Sequence, residues 1–182
     1  MKVRLPHTIN SAGEKITFEK SFVKDGVEIL EGRVAIQPKG GPPMHTHHRQ
    51  DESFTILSGS MAYQIAGEEV KYAYAGETVL IKAGIPHKFW NCGSDILECK
   101  SYVTPPENFV YFLTELYKSI NANKGKPAMF DAAFLLTRYK SEFAMLEIPS
   151  VVQTVVFPMV LFLGKLTGKA KKFNNAPTPV AG

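Results

Sequence analysis

The chain has 182 residues, 45% of them hydrophobic and 21% charged, which is enough for one sizeable core and short for two large ones. Its formal net charge of +4 is uneven: residues 1–104 set twelve basic side chains against twelve acidic ones, whereas residues 105–182 carry nine against five. The N-terminal stretch holds no apolar run of signal-peptide length and no later run reaches the roughly 18 to 20 residues of a bilayer crossing, so secretion and membrane spanning are not expected and a cytoplasmic location is.

Up to residue 104 the chain reads as short strands separated by turn chemistry, the pattern of a small all-β barrel. Predicted strands are Lys15–Phe22, Val27–Ile36, Phe54–Leu57, Met61–Ile65, Val70–Tyr74, Thr78–Ile81, Lys88–Asn91 and Ile96–Val103. Asp25-Gly26, Ser58-Gly59, Gly67, Ala75-Gly76 and Ala83-Gly84 punctuate them. The run Pro38-Lys39-Gly40-Gly41-Pro42-Pro43 excludes regular structure and delivers the chain stiffly to whatever follows. Cys92 and Cys99 flank a turn at Gly93-Ser94 and read as a reduced pair in a cytosolic protein.

The period changes at Thr104-Pro105-Pro106-Glu107, which has the spacing of a capping box with proline at the first helical position. Phe109, Phe112, Leu113, Leu116, Tyr117 and Ile120 then recur at three and four residues as one face of a helix. Pro127 opens a second helical stretch whose apolar face is Phe130, Phe134, Leu135, Tyr139, Phe143 and Leu146. A third segment, Val151 to Leu166, has only Gln153 and Thr154 as polar residues before Leu163, is interrupted by Pro158, and is followed by Lys165, Lys169, Lys171 and Lys172. Thirteen residues of helix reach about 20 Å, so this segment is expected to pack on protein, with an interfacial helix on anionic lipid as the alternative. The expected domains are 1–104, a β-barrel; 105–172, a helical extension; and 173–182, a disordered tail.

The chemistry lies in two short runs. His45 and His47 stand two apart, so on a strand they project two imidazoles to one side while Thr46 and His48 face the other. Glu52 shares its parity with Phe54 and Ile56, which places the carboxylate on the interior side of the next strand; His87 and Phe89 repeat the pattern further on. Three neutral imidazoles and one carboxylate suit a divalent transition ion, Fe, Mn, Ni, Zn or Cu, and leave about two positions of a six-coordinate ion open. His45, His47, Glu52 and His87 are therefore the expected metal ligands, with Glu52 also the candidate base. Phe54, Ile56, Tyr63, Phe89 and Trp90 are the expected pocket walls. Asn91 is expected to fix a strand end, and His7 reads as a surface histidine.

His45-Thr46-His47, Glu52 and Gly59 follow the pattern HxH-x4-E-x6-G, and Gly76, Gly84, Pro86-His87 and Asn91 follow its companion, in which Lys82 stands where a proline is usual. On these residues the chain resembles the cupin superfamily, and with no internal repeat it resembles the single-barrel members. The resemblance implies a double-stranded β-helix, or jelly-roll barrel, with a metal at its mouth. It does not select a reaction, because one fold hosts many. The reading preferred from the site is a metal-dependent oxidoreductase of the dioxygenase type on a small, partly apolar substrate; a ligand-binding or sensing module and a metal-dependent isomerase or decarboxylase are the alternatives. A homodimer that hides the faces around Phe109–Ile120 and Val151–Leu163 is expected. Peripheral membrane contact through 151–172 is the further possibility, and no recognition helix for nucleic acid can be assigned.

Overall fold

Residue pairs that permit φ above zero cut the first part of the chain into strands. The clearest case is Asp25-Gly26, at φ 52° and 78°, the two-residue turn that joins two long strands in tight register. The computed structural model describes residues 3–11 and 13–181. Within them the strands are β1 (His7–Ser11), β2 (Glu14–Lys24), β3 (Val27–Ile36), β4 (His45–His47), β5 (Asp51–Ser58), β6 (Ser60–Ile65), β7 (Lys71–Tyr74), β8 (Thr78–Ile81), β9 (His87–Asn91), β10 (Leu97–Thr104) and β11 (Phe143–Met145). The helices are α1 (Phe109–Ala122), α2 (Met129–Arg138) and α3 (Phe157–Leu166).

All strand pairs are antiparallel and fall into two sheets, one ordered β1-β2-β3-β10-β5-β8 and the other β11-β4-β9-β6-β7. The arrangement is that of a jelly roll, with alternate side chains of both sheets filling the space between: Phe18, Ile36, Phe54, Ile56, Met61, Leu97 and Cys99 are buried there. No strand pairing joins the sheets among the described residues, so the expected jelly-roll barrel takes the form of a two-sheet sandwich that does not close. Both cysteines are free, and burial pushes the Cys99 thiol up to about 12, which leaves it inert.

Several expectations change in the C-terminal part. Thr104 does not cap a helix. It ends β10, and its hydroxyl donates to the Glu28 carbonyl at 2.9 Å. Glu107 stands at φ 43° and its carboxylate takes Arg49 Nε at 3.0 Å and Gln50 Nε2 at 3.1 Å, so α1 begins at Phe109, four residues later than the capping-box spacing implies. The second helix stops at Arg138. Phe143, assigned from its spacing to that helix, lies instead on β11, which pairs with β4 in the register Phe143↔His47, Ala144↔Thr46, Met145↔His45. The extension is therefore not wholly helical, since it returns one strand to the sheet.

The third helix is also unlike the expectation. A π-helical turn, Val152–Val156, precedes α3, and Phe157 N–H reaches back five residues to the Val152 carbonyl. The extra residue in that turn lies just ahead of Pro158, whose ring and missing N–H disfavour a regular helical turn there. Only Phe157 and Gly164 of α3 are buried. Gly164 sits on Phe130 of α2 so closely that a Cβ would lie 1.9 Å from the ring. Gly164→Val is thus expected to unseat α3 and lower stability by about 1–3 kcal/mol, the usual cost of overpacking; an unchanged urea midpoint would show that the helix is held elsewhere.

The tail is not loose. Pro177 carbonyl accepts from Arg138 Nη2 at 2.9 Å and Tyr139 Oη at 3.0 Å, Val180 carbonyl accepts from Ser141 Oγ at 2.8 Å, and Val180 N–H donates to Glu142 Oε1 at 3.1 Å. Phe173 stacks on Phe134 with centroids 4.0 Å apart. Proline and alanine content had pointed to disorder, but backbone carbonyls of any composition can be captured by buried donors. Gly182 lies outside the described residues.

Candidate metal centre

β4 is only three residues long, and its place is set by its neighbours: His45 pairs with His87 on β9, and the other edge pairs with β11. Pro42 and Pro43 bring the chain to it without regular structure. Glu52 comes from β5 of the opposite sheet, where Glu52, Phe54 and Ile56 are all buried, as their parity required. The ligand atoms of His45, His47, Glu52 and His87 all lie within 4.8 Å of one another. His47 Nε2 is 3.7 Å and His87 Nε2 3.4 Å from Glu52 Oε2.

The hydrogen bonds around the cluster fix which nitrogens face inward. A carbonyl can only accept, so the 2.8 Å contact of His45 Nδ1 with the Pro43 carbonyl and the 2.9 Å contact of His87 Nδ1 with the Ile85 carbonyl put the proton on Nδ1 in both rings. In the neutral rings Nε2 then carries a lone pair, and for His87 that lone pair faces a carboxylate oxygen at 3.4 Å. Two acceptors at this distance need a cation between them. A metal ion held by the cluster would supply it. Outer hydrogen bonds of this kind orient imidazole ligands in metal sites. His47 Nδ1 is buried without a hydrogen-bond partner among the described residues.

The charge states agree. Burial, followed by the fields of His47 and His87, pushes His45 down to about 3, and burial likewise lowers His47, so both are held neutral as ligands must be. Burial by itself would raise Glu52, but the hydrogen bond with His87 and the fields of the three imidazoles outweigh it and hold the carboxyl below its usual range. The donor set therefore fits a divalent transition ion, and its members can hold one. A buried neutral histidine gains protons only on unfolding, so the metal-free chain is expected to lose stability as pH falls from about 6.5 towards 3 through His45. Urea midpoints measured down that range should decline; a flat profile would mean that His45 is not held neutral.

His48 is exposed just past the end of β4, whereas Thr46, expected to face the same way, is buried. His48→Ala is accordingly expected to retain metal in elemental analysis. Asn91 Nδ2 donates to the Ile36 and Asp95 carbonyls at 2.8 and 2.7 Å, and its Oδ1 accepts from Gly93 N–H, which makes it the strand-end clasp expected. Lys82, in the place of the usual proline, binds Asp51 Oδ2 at 2.7 Å, and Asp51 Oδ1 accepts from Ala83 N–H at 2.9 Å, so a salt bridge and an amide bond stiffen that turn. His7 is more than a surface histidine: it is half-buried on β1, stacks on Phe18, and its Nε2 bonds Thr114 Oγ1 on α1 at 3.0 Å.

The cluster opens into a cavity of about 320 Å³ between the two sheets and α1. Of the expected walls, Phe54 and Phe89 line it, with ring centroids 4.5 Å apart. Ile56 is buried but does not reach the cavity, Tyr63 packs on the core beside it, and Trp90 faces the other side of β9, where Lys88 Nζ stands 5.5 Å from its ring. The walls that sequence reasoning missed come from β2 and β3, among them Phe18 and Val34, and from α1: Phe109, Phe112, Leu116 and Tyr117. The helical spacing of the α1 residues was visible, but not that this face turns inward on the site instead of outward to a second subunit. Glu14 and Tyr117 also line the cavity, and the Tyr117 hydroxyl donates to Glu14 Oε2. Burial, with the charge of Glu52 adding to it, raises Glu14 despite that hydrogen bond. No lysine or arginine lines the cavity among the described residues.

Two antiparallel sheets with a three-histidine, one-glutamate cluster between them define a β-sandwich that can bind a metal ion. The family model that matches is the Cupin domain, over residues 32–103, the segment that holds both histidine runs. Among solved structures the chain is similar to KdgF from Halomonas sp., at 13% identity over 57% of this chain and 92% of that one, with a TM-score of 0.49. It is also similar to the cupin domain of Schizosaccharomyces pombe Cnp3, at 16% identity over 50% and 64% with a TM-score of 0.43. A third is the Cupin_2 domain of an XRE family transcriptional regulator from Enterobacter cloacae, at 18% identity over 50% and 96% with a TM-score of 0.42. No curated protein matches the chain.

Proposed function

We propose that this protein is a metal-dependent oxidoreductase of the dioxygenase type acting on a small, partly apolar organic substrate. The observation that carries the reading is the opening of the His45, His47, Glu52 and His87 cluster into a mainly aromatic and aliphatic cavity of about 320 Å³, a size that takes a small organic molecule. A transition ion held by these four side chains would supply redox and Lewis-acid chemistry at that wall. The rest is the work of the chain. Phe54, Phe89, Phe109 and Phe112 enclose a flat apolar body and exclude water from it. Glu52, ionised and facing the cavity, can accept a proton from a bound substrate. Glu14, kept towards its neutral form, and Tyr117 offer a polar pair for a substrate oxygen. The absence of cationic lining among the described residues disfavours phosphorylated substrates.

The test is oxygen uptake by protein loaded in turn with Fe(II), Mn(II), Ni(II) or Cu(II), offered a panel of phenols and diketones. Uptake with at least one pairing is expected, and Tyr117→Phe should raise KM for that substrate roughly 5–10-fold, the worth of one hydrogen bond, with metal content unchanged. One observation favours a second reading, a ligand-sensing module: α1 supplies much of the cavity wall, so a bound molecule touches the extension directly. Saturable binding of a panel member with no uptake under any metal would select sensing over catalysis.

A further inference from the structure

The helix that ends the extension leaves an apolar face uncovered. Val151, Val155, Met159, Phe162, Leu163 and Leu166 recur at intervals of three and four residues, or one for the adjacent pair, and each is between 51% and 70% exposed. In a helix that spacing gathers them on one side. The opposite side holds the helix to the body, with Phe157 buried and Gly164 seated on Phe130, so the apolar side points away from the rest of the chain. Residues 150–182 contain no aspartate or glutamate, and all four of their charges are lysines. Lys172 pairs with Asp131. Lys165, Lys169 and Lys171 are exposed and make no salt bridge among the described residues.

We propose that this face docks on an anionic lipid bilayer, its six apolar side chains entering the headgroup boundary and Lys165, Lys169 and Lys171 meeting lipid phosphates. Charge decides the occupant. Self-pairing through this segment would set two stretches that have lysines and no carboxylate against each other, whereas an anionic bilayer satisfies the apolar side chains and the lysines together. The helix lies along the surface and does not cross it, since no helix among the described residues is long and apolar enough to span. The second face once expected to need a partner, on α1, is already buried within the chain, with Phe109, Phe112 and Tyr117 turned into the cavity.

Deleting the segment is a poor test, because residues after it bond Arg138, Tyr139 and Glu142 in the body. The full chain is therefore compared with two double variants at exposed positions, Phe162→Ser with Leu163→Ser, and Lys165→Glu with Lys169→Glu, each checked for unchanged melting. The probes are phosphatidylcholine vesicles with and without phosphatidylglycerol, pelleted at low and high salt. The full chain is expected to pellet with the anionic vesicles at low salt, to partition roughly tenfold more weakly at high salt, and to lose binding in both variants. Pelleting with neither vesicle overturns the proposal, as does pelleting that ignores salt and survives the lysine reversal. So does a dimer in sedimentation equilibrium that ignores vesicles and is dissolved by the Phe162 and Leu163 changes, which would give the face to a second copy.

Discussion

Chain purified without added metal or an affinity tag is expected to carry about one transition ion, and His87→Ala to lose nearly all of it. His87 is 1% exposed, its Nδ1 proton is committed to the Ile85 carbonyl, and its Nε2 stands 3.4 Å from Glu52. Removing the ring takes away one of four donors and leaves a buried carboxylate with one flank empty. The loss should exceed the roughly 10–100-fold in affinity that outer partners of metal ligands are worth. Glu52→Gln is expected to behave similarly, because the only negative charge in the donor set disappears while the volume is kept. Elemental analysis of both variants beside His48→Ala decides the matter. Metal retained by His87→Ala at the wild-type level would place the ion elsewhere.

The largest effect on stability is expected from Glu142→Ala. Glu142 is fully buried, and its carboxylate accepts from Asn108 Nδ2 at 2.7 Å, Asn108 N–H at 3.2 Å and Val180 N–H at 3.1 Å. One side chain thus ties the start of α1, the turn after α2 and the tail. Alanine would leave three donors without their acceptor in a place water does not reach, and each such loss costs on the order of 1–3 kcal/mol. A combined loss of about 3–5 kcal/mol is expected, or roughly 6–20 °C in Tm for a chain of this size. Glu142→Gln, which keeps one acceptor oxygen, should fall between. A Glu142→Ala melt within a degree of wild type would show the three donors finding other partners.

Strand parity carried most of the site at sequence level. Glu52, Phe54 and Ile56 point inward together because a strand alternates, and the two histidine runs have the spacing of a family motif, so the four side chains that cluster could be read from the sequence. What local pattern cannot carry is pairing over distance. Glu14 and Tyr117 are 103 residues apart, and nothing in either neighbourhood announces the other. β11 is Phe-Ala-Met, too short for a period of two to stand out from the helical spacing around it, and it is a strand because β4 offers an edge. β1 has one buried residue, Ile9, and so no alternation to detect. At Glu107 the capping-box spacing was present, but Arg49 and Gln50 compete for the same carboxylate and hold it outside the helix.

The short strand β11 bears on where this candidate metal centre is encoded. All four donors lie within residues 32–103, the stretch that the Cupin domain covers. Yet β4, which presents two of them, meets β9 in register only at His45↔His87, and its remaining edge is held by Phe143, Ala144 and Met145. The His47 ring also rests against Phe109 and Phe143, at centroid distances of 5.4 and 5.6 Å. Donors and frame are therefore inherited from different stretches of the chain: a version trimmed to the domain would keep every coordinating atom while losing the backing that keeps two of them aimed.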